Sequence, residues 1–368
     1  MESLIREIPG VDVSTVCVDA PYEGGGSQKG PVGAAIRLKS VYNGKGKIFR
    51  LFSSLIEGRR LIKKALELGD VIVAMTAPPF LNYWAGRLCK AARVPWVYWS
   101  MDVYPDAFSA ARLVREGNPV YRYLLKSFRQ NPPDLLVALG EEQASFLQRR
   151  WAAPVPQVVL PCGVFTDHFS ATQPKWRQDD RKIYFGYVGN LGEAHDPEFV
   201  VDFVNLLDAK LHQFILSVYG SKAQRVVERL KGHPAVKLVD AVSRSELQFI
   251  DIHLVSLSPE WTHVCVPSKA VSAICAGQII LFNGLESSDA WRMLGEAGFL
   301  VSECSKREAR RAQMSAVVSS LSNGGVLRQR KDNALRIHDR LIRLEDNSFK
   351  SIAARIKNWV FQPQTNLA

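Results

Sequence analysis

The chain has 368 residues, 47% of them hydrophobic and 23% charged, which is long enough for two domains with cores of their own and excludes a disordered or fibrous protein. Lys and Arg number 47 against 36 Asp and Glu, a formal net charge of +11 that suits phosphates, nucleotides or acidic lipid surfaces as partners. The six cysteines are scattered without a C-x-x-C pair, which argues against a zinc module or a disulfide framework and fits a reducing cytoplasm.

Taken in order, short apolar runs alternate with helix-length segments, the pattern of α/β domains built on parallel sheets. Residues 2–8 look like the end of a helix closed by Pro9-Gly10, where a doubly wound domain would open with a strand and a ligand-facing loop. One strand and its loop are therefore expected ahead of this segment, which implies a start upstream of Met1. The first-half strands are expected at 11–18, 71–75, 96–99, 135–138 and 158–160; several are continuous apolar runs, as when helices cover both faces of a sheet. The polar stretch Asp167–Arg181 reads as a linker. The rhythm then returns at 183–188, 214–219, 236–239, 252–257, 279–282 and 299–301. From Ser348, apolar residues at Phe349, Ile352, Ala353, Ile356, Trp359 and Val360 form one stripe of an amphipathic helix. The expected domains are 1–170, 171–347 and a terminal helix at 348–368.

Three strand-to-helix turns in the second half offer free backbone N–H groups at a sheet's ligand edge. Gly189-Asn190-Leu191-Gly192 leads to Asp196-Pro197, an N-cap followed by proline; it reads either as a ligand loop or as an ordinary glycine turn. Gly220-Ser221-Lys222 places a lysine that reads as a phosphate ligand or as a solvated side chain. In Val266-Pro267-Ser268-Lys269, Ser268 is a candidate N-cap, with Gly277 closing the helix. A cation in the first helical turn is disfavoured by roughly 0.3–1 kcal/mol. Lys269 there makes sense if an anion binds beside it, and Ser272 shares a face with Ser268.

These residues resemble the donor segment of retaining glycosyltransferases of the GT-B fold, group 1 or family 4 type, of the branch that builds bacterial O-antigen and capsule sugars. Pro267-Ser268-Lys269 with Ala276-Gly277 carries the resemblance, as do Tyr187–Gly192, Thr76-Ala77-Pro78-Pro79, Met101–Asp106 and Leu139-Gly140-Glu141. It implies two tandem doubly wound Rossmann-like domains, the first holding the acceptor and the second the nucleotide-sugar, with a C-terminal helix crossing back. Gly189, Asn190, Lys222 and Lys269 would face the diphosphate and Ser272 the ribose; Gly192, Pro267 and Ser268 belong to the same donor loops. The family's two glutamates, eight residues apart, fall here on Val264 and Ser272.

No Asp-x-Asp is present, so no metal site and no cofactor are expected, the leaving diphosphate being met by lysines and helix N-termini instead. Asp102, after the strand at 96–99, is a candidate for orienting the acceptor hydroxyl or accepting its proton, with Thr76, Pro78 and Asp106 on the acceptor side; Asp102 and Asp106 also read as turn caps around Pro105. His263 and Glu260 are candidates for touching the donor, or are uninvolved loop residues. The expected reaction moves a sugar from a nucleotide-sugar to a glycan or polyprenyl-linked acceptor. A nucleotide-sugar epimerase and a non-catalytic derivative of the same fold are the alternatives.

From Arg37 to Lys64 nine Lys or Arg meet one acidic residue, Glu57, with Phe49, Leu51, Phe52, Leu55, Ile56, Leu61 and Ile62 interleaved. This segment reads either as a basic amphipathic helix on an anionic membrane or as a solvated helix covering the sheet. No nucleic-acid-binding module is recognised.

Overall fold

The computed structural model describes residues 5–19, 35–42, 46–166, 169, 172–302, 306–321 and 324–361. The chain divides into two compact units, 1–22 with 27–160 and 344–368, and 23–26 with 161–343. Residues 2–4, residues 167, 168, 170 and 171 of the expected linker, and Lys45 of the basic segment lie outside the described residues.

In the first unit, β1 (Thr15–Asp19) pairs in parallel with β2 (Ala35–Lys39). The expected strand at 11–18 is shifted. Val11 N–H bonds the Ile8 carbonyl in a turn, and Val11 and Val13 pack on the core rather than joining a ladder. Strand β2 was concealed by its charges, Arg37 and Lys39. Helix α1 (Lys47–Leu66) follows, then β3 (Ile72–Ala74), α2 (Leu81–Ala92), β4 (Trp96–Trp99), a short α3 (Asp106–Ala110), α4 (Pro119–Gln130), β5 (Leu135–Ala138), α5 (Glu141–Gln148) and β6 (Gln157–Val159). The four strands β3 to β6 form a parallel sheet in sequence order. Val97, Leu135, Leu136 and Val137 are almost fully buried, as expected where helices cover both faces.

The second unit holds β7 (Ile183–Asn190), α6 (Pro197–Val204), β8 (His212–Tyr219), α7 (Ala223–Leu230), β9 (Val236–Leu238), β10 (Ile252–Ser256), α8 (Ser268–Cys275), β11 (Ile279–Gly284), α9 (Asp289–Leu294), β12 (Gly298–Ser302) and α10 (Arg307–Ser320). Its sheet runs β12-β11-β10-β7-β8-β9, every pair parallel, so the strand order reverses between β7 and β10. This is the doubly wound dinucleotide-binding order, in which ligands lie outside the carboxyl ends of the strands at the reversal. Phe185, Phe199, Phe203 and Phe214, all fully buried, form the middle of the core.

Two expectations change. The described part of the expected linker is packed rather than free: Trp176 is buried with Tyr184, Ile215 and Ile250, and the Arg177 guanidinium stacks 4.5 Å over the Tyr184 ring and donates to the Phe249 carbonyl at 2.6 Å. The terminal helix, α11, runs over Gly324–Phe361 instead of beginning at Ser348. Ala334, Ile337 and Leu341 are buried on its earlier turns, and no helix breaker separates them from the later stripe. That later stripe belongs to the first unit. Ile352 and Ile356 are buried with Ile5, Ile8, Val97 and Leu135, and Ser348 Oγ donates to the Val159 carbonyl at 2.7 Å.

Candidate functional site

The strand reversal fixes where to look in the second unit. Strand β7 ends on Gly189 and Asn190, which the sequence placed in the following turn; both are paired with β8, opposite Val218 and Tyr219. Gly189 has φ +103°, and a Cβ there would meet nothing within 4 Å, so the backbone is bare on that side. At Gly220, with φ +108°, a Cβ would lie 2.2 Å from Asn190 Oδ1; at Gly192 it would lie 3.2 Å from the same amide. The two glycines thus make the space that holds the Asn190 side chain.

Helix α8 delivers Lys269. Its Nζ donates to Tyr187 Oη at 2.7 Å and to the Asn190 carbonyl at 2.6 Å, and sits 4.1 Å from the centroid of the Tyr187 ring. Two acceptors and an aromatic face offset the unfavourable position of a cation in the first turn of a helix. Burial pushes the Lys269 ammonium down to about 7 and the buried Tyr187 phenol well above its ordinary value. Beside them His195 is buried, with Nδ1 2.6 Å from the Ser256 carbonyl at the end of β10. Burial first, and then the charge of Lys269, hold the imidazole down at about 3. The ring is therefore neutral at physiological pH, and since a carbonyl only accepts, Nδ1 carries the proton and Nε2 is the bare nitrogen.

Lys222 acts on the loop that follows β7. Its Nζ donates to the carbonyls of Glu193 and His195 at 2.9 and 2.8 Å, and its own N–H bonds the Leu191 carbonyl. Pro267 occupies the N-cap of α8 and makes no side-chain capping bond; Ser268, read as that cap, is the exposed first residue of the helix. Ser272 Oγ donates to the Gly163 carbonyl at 3.0 Å. His263 is half-buried in the segment entering α8, after the 3-10 turn Pro259–Trp261.

Within the first unit, Thr76, Pro78 and Asp102 meet at the carboxyl ends of β3 and β4. The Asp102 N–H bonds Thr76 Oγ1 at 3.3 Å, the Pro78 carbonyl accepts from Leu81 N–H at the start of α2, and Asn82 Nδ2 ties the two loops by donating to the Tyr104 carbonyl at 3.1 Å. Burial pushes the Asp102 carboxyl up to about 6. Beside these loops is a shallow crevice whose lining includes Phe80, Asn82, Tyr104 and Phe108. Asp106 stands apart in role. It is buried, paired with the Arg150 guanidinium and bonded by Tyr121 Oη at 3.1 Å, so its lone pairs serve the protein's own packing.

Sequence reasoning passed over His195, the Tyr187 hydroxyl as a partner for Lys269, and Gly163, whose carbonyl holds Ser272. The clue for His195 was its place directly before the Asp196-Pro197 cap. Among the described residues no three His, Cys, Asp or Glu side chains are grouped to hold a metal ion, and no helix is long and apolar enough to cross a membrane.

Two Rossmann-like α/β units in tandem, with a ligand edge at the strand reversal, define the GT-B fold. Its structural neighbours include glycosyltransferases. WaaG, a glycosyltransferase involved in lipopolysaccharide biosynthesis, matches with a TM-score of 0.66 at 16% identity, over 95% of this chain and 93% of that one. Sucrose-phosphate synthase from Thermosynechococcus elongatus matches with a TM-score of 0.64 at 14% identity, over 98% and 91%. The pneumococcal O-GlcNAc transferase GtfA, solved in complex with UDP and GlcNAc, matches with a TM-score of 0.58 at 12% identity, over 82% of this chain and 59% of its own length. Neither a protein-family profile nor a curated sequence matches the chain.

Proposed function

We propose that the protein is a glycosyltransferase that takes a sugar from a nucleoside diphosphate donor bound at the carboxyl edge of the second unit's sheet. The observation that carries this is Lys269: a half-buried ammonium fixed by Tyr187 and Asn190 at the strand reversal, beside the bare backbone of Gly189. Two of its three N–H groups are held by these acceptors, and the third is left for a phosphate oxygen. As the glycosidic bond breaks, negative charge grows on the β-phosphate, and a cation already in place stabilises it without reorganisation. The neutral His195 ring, through Nε2, accepts a hydrogen bond from a sugar hydroxyl. The UDP held by GtfA makes a UDP-sugar the first donor to try.

The acceptor is proposed to be a glycan or a polyprenyl-linked glycan of a surface polysaccharide, positioned by Thr76, Pro78 and Asp102, on the cytoplasmic side. Asp102, raised toward neutrality by burial, is suited to take the acceptor hydroxyl's proton. Retention is proposed from the resemblance of the Pro267–Lys269 segment, and metal independence from the lysine-based donor site and the absence of an Asp-x-Asp pair.

The test is incubation with a panel of nucleotide-sugars, following free nucleotide and sugar identity. Release of nucleoside diphosphate that falls at least about 100-fold in Lys269→Ala supports the proposal. Interconversion of the sugar without release would show an epimerase, and binding without turnover would show a non-catalytic protein; either result overturns the reading.

A further inference from the structure

Helix α1 turns the wrong residues outward for an ordinary solvated helix. Ser53, Ser54, Glu57, Leu61 and Ile62 face inward, while Phe49, Phe52 and Ile56 are 39%, 61% and 37% exposed. Arg59, Arg60 and Lys63 share that outer side. Helix α2 lies against α1, with the Arg59 guanidinium 5.6 Å over the Trp84 ring and Trp84 Nε1 donating to the Leu55 carbonyl at 2.8 Å. Helix α4 lies against α2: the Tyr83 and Tyr123 hydroxyls are 3.2 Å apart, and Lys90 Nζ donates to the Gln130 carbonyl at 3.1 Å. On α4, Val120 and Tyr123 are 62% and 53% exposed among the exposed cations Arg122, Lys126 and Arg129.

The three neighbouring helices carry eleven Lys and Arg and a single acidic residue, Glu57. That carboxylate is buried and accepts from Ser40 Oγ and Val41 N–H at 2.7 and 2.8 Å, so it offers no charge to the outer face. Solvated surfaces normally intersperse both signs and keep large apolar groups inside. Helices without an exposed acidic residue that mix long cations with exposed aromatic and aliphatic groups match the boundary between headgroups and acyl chains.

We propose that α1, α2 and α4 form one docking face for an anionic phospholipid bilayer, their cations reaching the headgroup phosphates while Phe49, Phe52, Ile56 and Val120 enter the acyl boundary. A nucleic acid would satisfy the cations but give Ile56 and Val120 no apolar phase to enter. The inference rests on the surface of the first unit alone and stands apart from the transferase reading.

The test is co-sedimentation of the full chain with vesicles of phosphatidylcholine, alone or mixed with phosphatidylglycerol. Binding is expected to the anionic vesicles only and to weaken with salt. At about fivefold per basic residue near the surface, Arg59→Gln/Lys63→Gln on α1 and Arg122→Gln/Lys126→Gln on α4 should each lower partitioning about 25-fold. Phe52→Ser should lower it about tenfold or more. Far-UV circular dichroism and melting temperature, unchanged in these surface variants, separate lost docking from lost fold. Equal binding to neutral vesicles, or parental binding by the α4 variant, overturns the shared face. So does a short RNA that binds more tightly than the vesicles and is indifferent to Phe52→Ser.

Discussion

Lys269 Nζ lies 2.7 Å from Tyr187 Oη and 4.1 Å from the centroid of the same ring, so one tyrosine supplies both a hydrogen-bond acceptor and a cation-binding face to the lysine. The pairing holds a cation where burial works against it. Burial lowers the Lys269 ammonium to about 7, so the folded chain binds fewer protons than the unfolded chain between about 7 and the ordinary lysine value. The cost of charging Lys269 is therefore full below pH 7 and fades as the pH rises. Lys269→Met should raise the melting temperature at pH 6 and change it little at pH 10.5. UDP affinity should follow the opposite course in the parent protein. Calorimetry at pH 6 and pH 8.5 should show binding weakening as Lys269 loses its proton, with the Lys269→Met variant free of that component.

Asp102 has the reverse sign. Its carboxyl is raised to about 6 by burial, so its contribution to stability is complete below the ordinary carboxylate range and is lost as the pH rises through 6. Asp102→Asn should therefore melt higher than the parent at pH 7.5 and about equally at pH 4. If Asp102 accepts the acceptor's proton, the same variant loses turnover at pH 7.5, and the rising limb of the parent's rate profile sits near pH 6. A stabilised variant with undiminished turnover would remove Asp102 from the chemistry.

Asp106 separates a structural carboxylate from a reactive one. Removing one partner of a buried ion pair leaves an uncompensated charge and costs about 3–5 kcal/mol. Asp106→Asn should show this loss in urea unfolding because of the Arg150 pair, while its turnover per folded molecule remains close to parental.

The two strand-end glycines should respond differently. At Gly220 a Cβ would meet Asn190 Oδ1 at 2.2 Å with φ at +108°, so Gly220→Ala combines overpacking with left-handed strain, about 2–5 kcal/mol together, and displaces Asn190. At Gly189 the space is open, so Gly189→Ala should cost only the strain, about 1–2 kcal/mol. Thermal unfolding and UDP titration of the pair check this: loss of UDP affinity should be larger in Gly220→Ala.

Much of the fold was legible because parallel strands buried on both faces read as unbroken apolar runs; β4 and β5 fall on the expected residues. Strand β2 was not legible, because Arg37 and Lys39 alternate outward and the run merges into a basic helix. The glycine turns and Lys269 could be picked out of the sequence by their position after apolar runs. What they bond to could not, since Lys269 meets Tyr187 from a helix 82 positions away and the burial of His195 depends on packing under β10. Asp106 and Asp102 look alike in sequence; the partner that distinguishes them, Arg150, lies 44 positions further on.

The last turns of α11 show how a stripe visible in sequence becomes a requirement of the fold. Ile352 and Ile356 are 0% and 2% exposed and pack on Ile5, Ile8, Val97 and Leu135, so they fill the core of the first unit although Val97 and Leu135 are distant in sequence. Truncating a buried isoleucine to alanine costs about 2–5 kcal/mol through lost burial and the cavity left behind. Ile352→Ala should lower the unfolding free energy measured by urea titration by that amount. Lys350→Ala, on the same turns but with its ammonium paired to Asp346 at the surface, should change it by less than about 0.5 kcal/mol. If the first unit kept its stability when Ile352 was truncated, the helix would be an ornament on that core, and its burial with Ile5 and Ile8 would have no energetic meaning.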